Sequence, residues 1–174
     1  MSAVTQLRAR TSKAHDKVDA AFSAYCLDVK ASYERFLLAH AHALIAAEGV
    51  LAPARELPVW RPRADLLAND LRALGVEMPD PLTIVADSHP AYPWGVLYVL
   101  EGSRLGGRVL ADRVPASFPA NYLRAVHTPG EWRAFRSTFD AQATAGGDAW
   151  LKHAVIGAEA CFDLYQRAAA VSPP

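Results

Sequence analysis

Residues 97–110, LYVLEGSRLGGRVL, constrain the fold of this chain more than any other segment, because they read as a helix that contains three glycines. Each glycine inside a helix costs about 1 kcal/mol relative to alanine, so their presence needs a physical reason. Gly102 and Gly106 are four residues apart and therefore lie on one face of the helix. That face consists of bare backbone, which allows a second helix or a flat ligand to approach closely.

Apolar residues recur at helical spacing along nearly the whole chain, and no segment has the alternation typical of a strand. We therefore predict an all-α fold, with residues 1–174 forming a single domain large enough to bury a core. The first three predicted helices run from Thr5 to Phe22, from just after Ser32 to before Gly49 and Pro53, and from Arg63 to Leu74, with Gly75 just past the end. The next runs from Pro90 or Pro93 to before Pro115, and a short helical piece follows at Ala120 to Val126. The last two run from Thr128, with Pro129 at the first position, to about Ala143, and from Gly146-Gly147-Asp148 to about Ala170.

Charge and apolar runs exclude several classes of protein. The 18 Lys and Arg residues balance the 18 Asp and Glu residues, so no net charge favours nucleic acid or an anionic membrane. No apolar run approaches the roughly 18 residues of a membrane span, and the N-terminus lacks a signal sequence. We therefore expect a cytoplasmic protein, in which Cys26 and Cys161 are buried free thiols.

His15 is the first candidate for chemistry, because it shares the apolar face of the first helix with Leu7, Thr11 and Val18. A lone histidine in such a position is more often a core residue than a ligand. Asp19, one turn further on, changes this balance, because its carboxylate can fix the tautomer of a metal-bound imidazole. With the glycine face opposite, these residues describe a slot that suits haem iron better than zinc.

Other catalytic patterns are weaker or absent. His40 and His42 are two residues apart and point away from each other on a helix, which argues against a shared metal. The chain contains no Glu-x-x-His, no Cys-x-x-Cys-His, no phosphate-binding loop and no Gly-x-Ser-x-Gly elbow. We expect His89, His127 and His153 at the surface or at its boundary with the core.

Two motifs, LRARTSKAHDKVD at residues 7–19 and YVLEGSRLGG at residues 98–107, together resemble the haem oxygenase family, in particular its compact bacterial members encoded beside bacteriophytochromes. The resemblance implies an all-α helical bundle with haem between the first helix and a glycine-kinked distal helix. It implies that His15 is the axial ligand of the haem iron and that Asp19 is its hydrogen-bonding partner. Gly102 and Gly106 then correspond to the distal glycines above the haem.

The implied reaction opens haem b to biliverdin and releases carbon monoxide and ferrous iron. Haem is then both substrate and cofactor, and molecular oxygen is consumed. A neutral histidine ligand suits this reaction, because a strongly anionic ligand favours cleavage of the oxygen–oxygen bond. Electrons must come from a ferredoxin or reductase, since the chain has no flavin or nicotinamide motif. The implied recipient of the bilin is a bacteriophytochrome.

One position departs from the best-known members of the family, which carry an aspartate just after the first distal glycine. This chain has Ser103 there, so Ser103, Glu101 and Arg104 are the candidates for supplying protons. Haem propionates need cations. The further haem contacts that we expect are Arg8, Arg133 and Arg136 at the propionates, and Thr11, Tyr98 and Gly107 along the ring, whereas Trp132, Phe135, Phe139 and Phe162 are most simply core aromatics.

Two alternatives stay open at this point. The chain is a haem carrier or sensor that binds through His15 without turnover, or it is a helical enzyme without haem, such as a thiamin-degrading type. In the second case, Gly102 and Gly106 serve close helix packing.

Overall fold

The computed structural model describes all residues from Met1 to Pro174 and contains six α-helices and no strand. They are α1 (Ala3–Phe22), α2 (Lys30–Leu51), α3 (Ala64–Leu74), α4 (Tyr92–Ala111), α5 (Asn121–Arg124) and α6 (Glu131–Val171). The all-α prediction is confirmed. None of these helices combines the length and the apolarity that crossing a membrane requires.

Helix α6 organises the bundle, because α1, α2 and α4 all pack against it. Near the start of α1, the backbone N–H of Val4 donates to Asp140 Oδ1 at 2.9 Å. Further along α1, the His15 ring meets Phe162 of α6 edge-on, with 5.6 Å between ring centroids. Helices α1 and α4 share no extensive contact with each other, so α6 forms the base of the slot predicted between them.

Helix α6 contains a sharp break at Gly147, which has φ 67° and ψ −162°. Positive φ values in this range favour glycine strongly. The break brings the ring of Phe139, which precedes it, next to the ring of Trp150, which follows it, with 5.1 Å between the ring centroids. The predicted reset at Gly146-Gly147-Asp148 is confirmed, although helix follows helix there without an intervening loop.

Two predicted helix starts are wrong. Helix α2 begins at Lys30, because Ser32 accepts a hydrogen bond from the backbone of Cys26 and so stabilises the preceding turn. Helix α6 begins at Glu131, behind Gly130 with φ 89°, and Pro129 therefore lies outside it. Neither start could be read from the sequence, because each depends on how the preceding turn closes.

The two cysteines differ in burial. Cys161 is a buried free thiol, as predicted, and burial raises its pKa. Cys26 is exposed in the turn between α1 and α2, so the prediction of a buried thiol is wrong for it. Its helical appearance in the sequence came from apolar neighbours that in fact belong to the turn.

Candidate functional site

At three glycines, the space beside the backbone is filled by a neighbouring helix. A Cβ atom at Gly95 would lie 1.8 Å from the carbonyl oxygen of Ala154, and one at Gly157 would lie 2.1 Å from that of Tyr92. These positions join α4 to α6. A Cβ at Gly107 would lie 3.0 Å from the carbonyl oxygen of Leu123, so Gly107 packs against α5. The contact of Gly107 with a ligand stays a prediction.

Gly102 and Gly106 are different, because the protein leaves the space beside them open. A Cβ at Gly102 would meet only the Trp132 ring, at 3.9 Å, and one at Gly106 would meet nothing within 4 Å. On the same part of α4, Leu105 is 50% exposed and Val109 is 65% exposed. Neither predicted distal glycine serves helix packing, and both present backbone to an open face.

Aromatic side chains form one side of this open face. The Trp132 ring lies 5.9 Å from Tyr98 and 5.5 Å from Phe135. Phe135, Phe139 and Phe162 are buried, as predicted for core aromatics, whereas Trp132 and Tyr98 are only partly buried. Trp132 and Tyr98 can therefore contact both the core and a bound molecule.

His15 and Asp19 form the pair that the sequence predicted, with 3.2 Å between Nδ1 and Oδ2. The His15 side chain is 56% exposed, so the expectation that it faces away from solvent is wrong. Leu7 and Thr11 occupy the buried part of the α1 interface, and His15 lies at its edge, against Phe162. Since Nδ1 faces the Asp19 carboxylate, Nε2 is the nitrogen that remains available to a metal.

Two of the predicted cationic residues contribute positive charge at Tyr98. Burial raises the pKa of Tyr98, and the positive charges of Arg8 and Arg136 oppose this rise. Arg8 comes from α1 and Arg136 from α6, and both are exposed. Arg133 is also exposed and makes no ion pair. The region around Tyr98 thus offers positive charge beside an aromatic surface.

Thr11 does not offer a polar group to this face. It is 2% exposed, and its hydroxyl group donates to the carbonyl oxygen of Leu7 at 2.9 Å. A threonine hydroxyl that bonds the preceding turn is satisfied inside its own helix. Its predicted contact with a ligand therefore finds no support in the geometry.

Charged side chains lie behind α4, away from the open face. Glu101 accepts a hydrogen bond from Arg104 Nε at 2.9 Å and lies 2.8 Å from His127 Nε2. Arg104 also donates to the carbonyl oxygens of Ala125 and Arg61. The His127 side chain is only 7% exposed and the residue as a whole is half-buried, which agrees with the predicted boundary position. Its Nδ1 is buried without a hydrogen-bond partner.

The three proton-supply candidates are all engaged in these contacts. Ser103 Oγ accepts from Arg63 Nη2 at 2.7 Å and donates to the carbonyl oxygen of Leu100 at 2.7 Å. Because arginine can only donate, the hydroxyl proton of Ser103 is directed at Leu100. Glu101 and Arg104 neutralise each other. Burial, together with the nearby charge of Arg63, lowers the pKa of Arg104.

Sequence reasoning missed two buried residues, Arg63 directly before α3 and Glu48 of α2, which meet at the start of α3. Glu48 accepts from the backbone N–H groups of Arg63, at 2.6 Å, and Ala64, at 3.3 Å. Burial raises the pKa of Glu48, and these hydrogen bonds and the Arg63 charge oppose the rise. No local signal distinguishes such residues from solvated ones, because their partners lie on other helices.

His40 was correctly separated from His42. Its Nδ1 lies 2.8 Å from the Tyr122 hydroxyl group, while His42 bonds the carbonyl oxygen of Asp80. The His40 ring packs against Phe36 at 4.3 Å and Phe22 at 4.7 Å. Burial lowers the pKa of His40 to about 3, so its imidazole is neutral at physiological pH.

A cavity of about 840 Å³ lies elsewhere in the molecule, between the end of α2, the segment after it and residues 81–94. Its walls are largely apolar, with Gly49, Leu57 and Trp94 among them. None of His15, Gly102 and Gly106 lines it. This cavity is therefore separate from the predicted slot.

Comparison with known proteins finds similarity in sequence and in fold. No family model matches the chain. A haem oxygenase of Xanthomonas campestris is 35% identical over 113 residues, which span 59% of this chain and 64% of that protein. The alignment thus covers less than two thirds of the relative's length.

A solved structure shows the same fold. The haem oxygenase from Neisseria meningitidis, described in NO- and CO-bound forms, superposes with a TM-score of 0.81 and 24% sequence identity. The match covers 99% of this chain and 92% of that one. The chain is thus similar in sequence to a haem oxygenase over 59% of its length, and over nearly all of its length it has the all-α fold of a haem oxygenase.

Proposed function

We propose that this chain is a haem oxygenase, which opens haem b to biliverdin and releases carbon monoxide and ferrous iron. The observation that carries the proposal is the open backbone at Gly102 and Gly106, where added Cβ atoms would meet almost nothing. The other glycines of α4 are filled by neighbouring helices. A face stripped of side chains and not used for packing suits a flat ring.

The donor set on α1 fits haem iron. His15 Nδ1 lies 3.2 Å from Asp19, the type of partner that metal-bound histidines usually have, and its Nε2 makes no hydrogen bond within the protein. Haem would supply both the ring that is cut and the iron at which oxygen is reduced. The neutral imidazole of His15 would bind that iron, and Asp19 would keep the imidazole in one tautomer and orientation.

The distal side contributes shape rather than acid–base groups. At Gly102 and Gly106 the backbone can approach oxygen closely and confine it next to the ring, without a side chain that donates a proton early. Trp132 and Tyr98 limit one side of the space. Arg8 and Arg136, whose positive charges act on Tyr98, would pair with propionates, with Arg133 as a weaker candidate.

Ser103 has a different role from the aspartate that the best-known family members carry at this position. Its proton is directed at the Leu100 carbonyl oxygen, and it accepts a bond from Arg63. We therefore infer that Ser103 stabilises this turn of α4. Protons then reach the slot through water at the backbone of Gly102 and Gly106. Thr11 faces the core and Gly107 faces α5, so we assign neither of them a direct contact with haem.

Partners and location follow from the same proposal. Oxygen is the co-substrate, and a ferredoxin or reductase supplies the electrons, since the chain carries no flavin or nicotinamide motif. The family resemblance supports a compact bacterial enzyme in the cytoplasm that provides a bilin to a bacteriophytochrome.

A haem carrier or sensor is the second candidate. The absence of an uncommitted acid beside Gly102 favours it, because Ser103, Glu101 and Arg104 are all bonded elsewhere. A helical enzyme without haem is disfavoured, since it would need Gly102 and Gly106 for helix packing, and neither is used in that way.

An absorption titration with haemin separates these candidates. We expect the wild type to develop a sharp Soret band that His15→Ala lacks, and His42→Ala, a histidine bonded only to Asp80, to behave as the wild type. Addition of a reductant in air should then convert the Soret band to the broad red absorption of biliverdin. A stable band without pigment would identify a carrier, and no His15-dependent band would reject the haem proposal.

A further inference from the structure

The back of α4 is fastened to α3 at the turn that contains Gly102. Arg63 Nη2 donates to the carbonyl oxygen of Leu100 at 2.9 Å and to Ser103 Oγ at 2.7 Å. Ser103 Oγ donates to the same carbonyl oxygen. Two side chains thus bond one peptide group of α4, directly behind the open glycine face.

Arg63 is itself held firmly. Its backbone N–H donates to Glu48 of α2, and its side chain is 3% exposed. The guanidinium carbon lies 5.0 Å from the centre of the Tyr122 ring of α5. Glu48 of α2 thus fixes the backbone of Arg63, and Tyr122 of α5 lies against its guanidinium group.

A helix with glycines at positions 102, 106 and 107 is locally weak, because each glycine adds conformational freedom. Charge-assisted hydrogen bonds are about twice as strong as neutral ones, so the Arg63 bonds are strong enough to select one arrangement of this turn.

We propose that Arg63 is a positioning residue, which acts through the Leu100 carbonyl oxygen and the Ser103 hydroxyl group to set how far the Gly102 backbone projects into the slot. The slot's use for haem rests on the proposed function. The positioning of α4 itself does not, because it is a property of the protein alone.

The first test uses hydrogen–deuterium exchange on the protein without haemin. In Arg63→Met, we expect amide exchange in residues 100–107 to rise about tenfold or more, while α1 and the end of α6 keep wild-type rates. Arg63→Lys should restore much of the protection, since an ammonium group can still bond Leu100. Arg72→Met is the matched control, because this exposed arginine of α3 bonds only Asn69.

Unchanged exchange at residues 100–107, or a uniform rise over all helices, would overturn the proposal. If Arg63→Met fails to fold, Ser103→Ala decides, because it removes one acceptor and leaves Arg63 on the Leu100 carbonyl. Ser103→Ala should then show a smaller rise at the same residues, and no local rise would count against the proposal.

The second test measures ligand binding and turnover in the slot. Arg63→Met should bind haemin with an affinity within about threefold of the wild type, because the iron ligand His15 is untouched. The C–O stretching frequency of its ferrous carbon monoxide complex should shift, and the ratio of biliverdin isomers should change. Reduced haemin affinity with an unchanged frequency and isomer ratio would mean a merely structural role. If the wild type binds no haemin, the proposed function fails and exchange alone decides the positioning of α4.

Discussion

Gly95 and Gly106 lie about three turns apart on the same helix, and their surroundings are opposite. At Gly95, backbone atoms of α6 occupy the space that a side chain would need, whereas at Gly106 no atom comes within 4 Å of a Cβ. The first half of α4 thus uses glycine to bring two helices together. The second half uses glycine to keep a surface bare, which is the property that a ligand site needs.

The largest effect should come from adding one methyl group to each half. Gly95→Ala places a Cβ 1.8 Å from the Ala154 carbonyl oxygen, so we expect a loss of about 3 kcal/mol or more in the free energy of unfolding. Gly106→Ala should instead increase that free energy by about 0.5–1 kcal/mol, because alanine favours the helix. Urea unfolding of both variants measures the difference. Similar stabilities would break the comparison between the two halves.

A larger side chain at the open glycine should affect binding rather than folding. We expect Gly106→Leu to weaken haemin binding about 30-fold, equivalent to about 2 kcal/mol, while the free energy of unfolding stays at or above the wild-type value. Gly49→Leu is the matched control, because Gly49 also lies inside a helix with no atom within 4 Å of a Cβ, but away from the slot. A Soret titration of both variants tests this, and equal affinities would mean that the Gly106 face is not used by haem.

The smallest effect concerns the polar contacts just before α4. Asp87 accepts a hydrogen bond from the His89 backbone at 2.7 Å and lies 2.8 Å from His153 Nδ1, whose ring stacks on His89. The backbone bond first, and His153 second, lower the pKa of Asp87. A carboxyl group with a lowered folded pKa stabilises the protein above its unfolded pKa of about 3.9, and this contribution is lost as the pH falls through the folded value.

Asp87→Asn should therefore lower the thermal midpoint slightly at pH 7, and its difference from the wild type should shrink as the pH falls below about 4. Thermal unfolding followed by circular dichroism at both pH values measures this. Since the Asp87 side chain is still partly exposed to solvent, we expect an effect much smaller than that of Gly95→Ala. A larger effect would show that polar contacts, and not helix packing, hold the first half of α4.

Local patterns predicted part of the observed geometry. The spacing of His15 and Asp19 is a property of any helix, and their contact is found at 3.2 Å. The same reasoning placed His127 at the surface or its boundary, but gave no sign that its side chain pairs with Glu101. It also did not separate Gly107 from Gly106. Both gaps have one cause, because the partners of His127 and Gly107 lie on segments whose approach has no local signal.

The sequence by itself determined the helical fold, the break at Gly147 and the pairing of His15 with Asp19, because helical periodicity, glycine's left-handed backbone and one-turn spacing act between near neighbours. Only the tertiary structure decided which glycines are filled and which stay open, and it alone brought Arg63 to the back of α4. Those outcomes depend on contacts between residues far apart in the chain, where the shape of each partner is set by packing and not by local sequence.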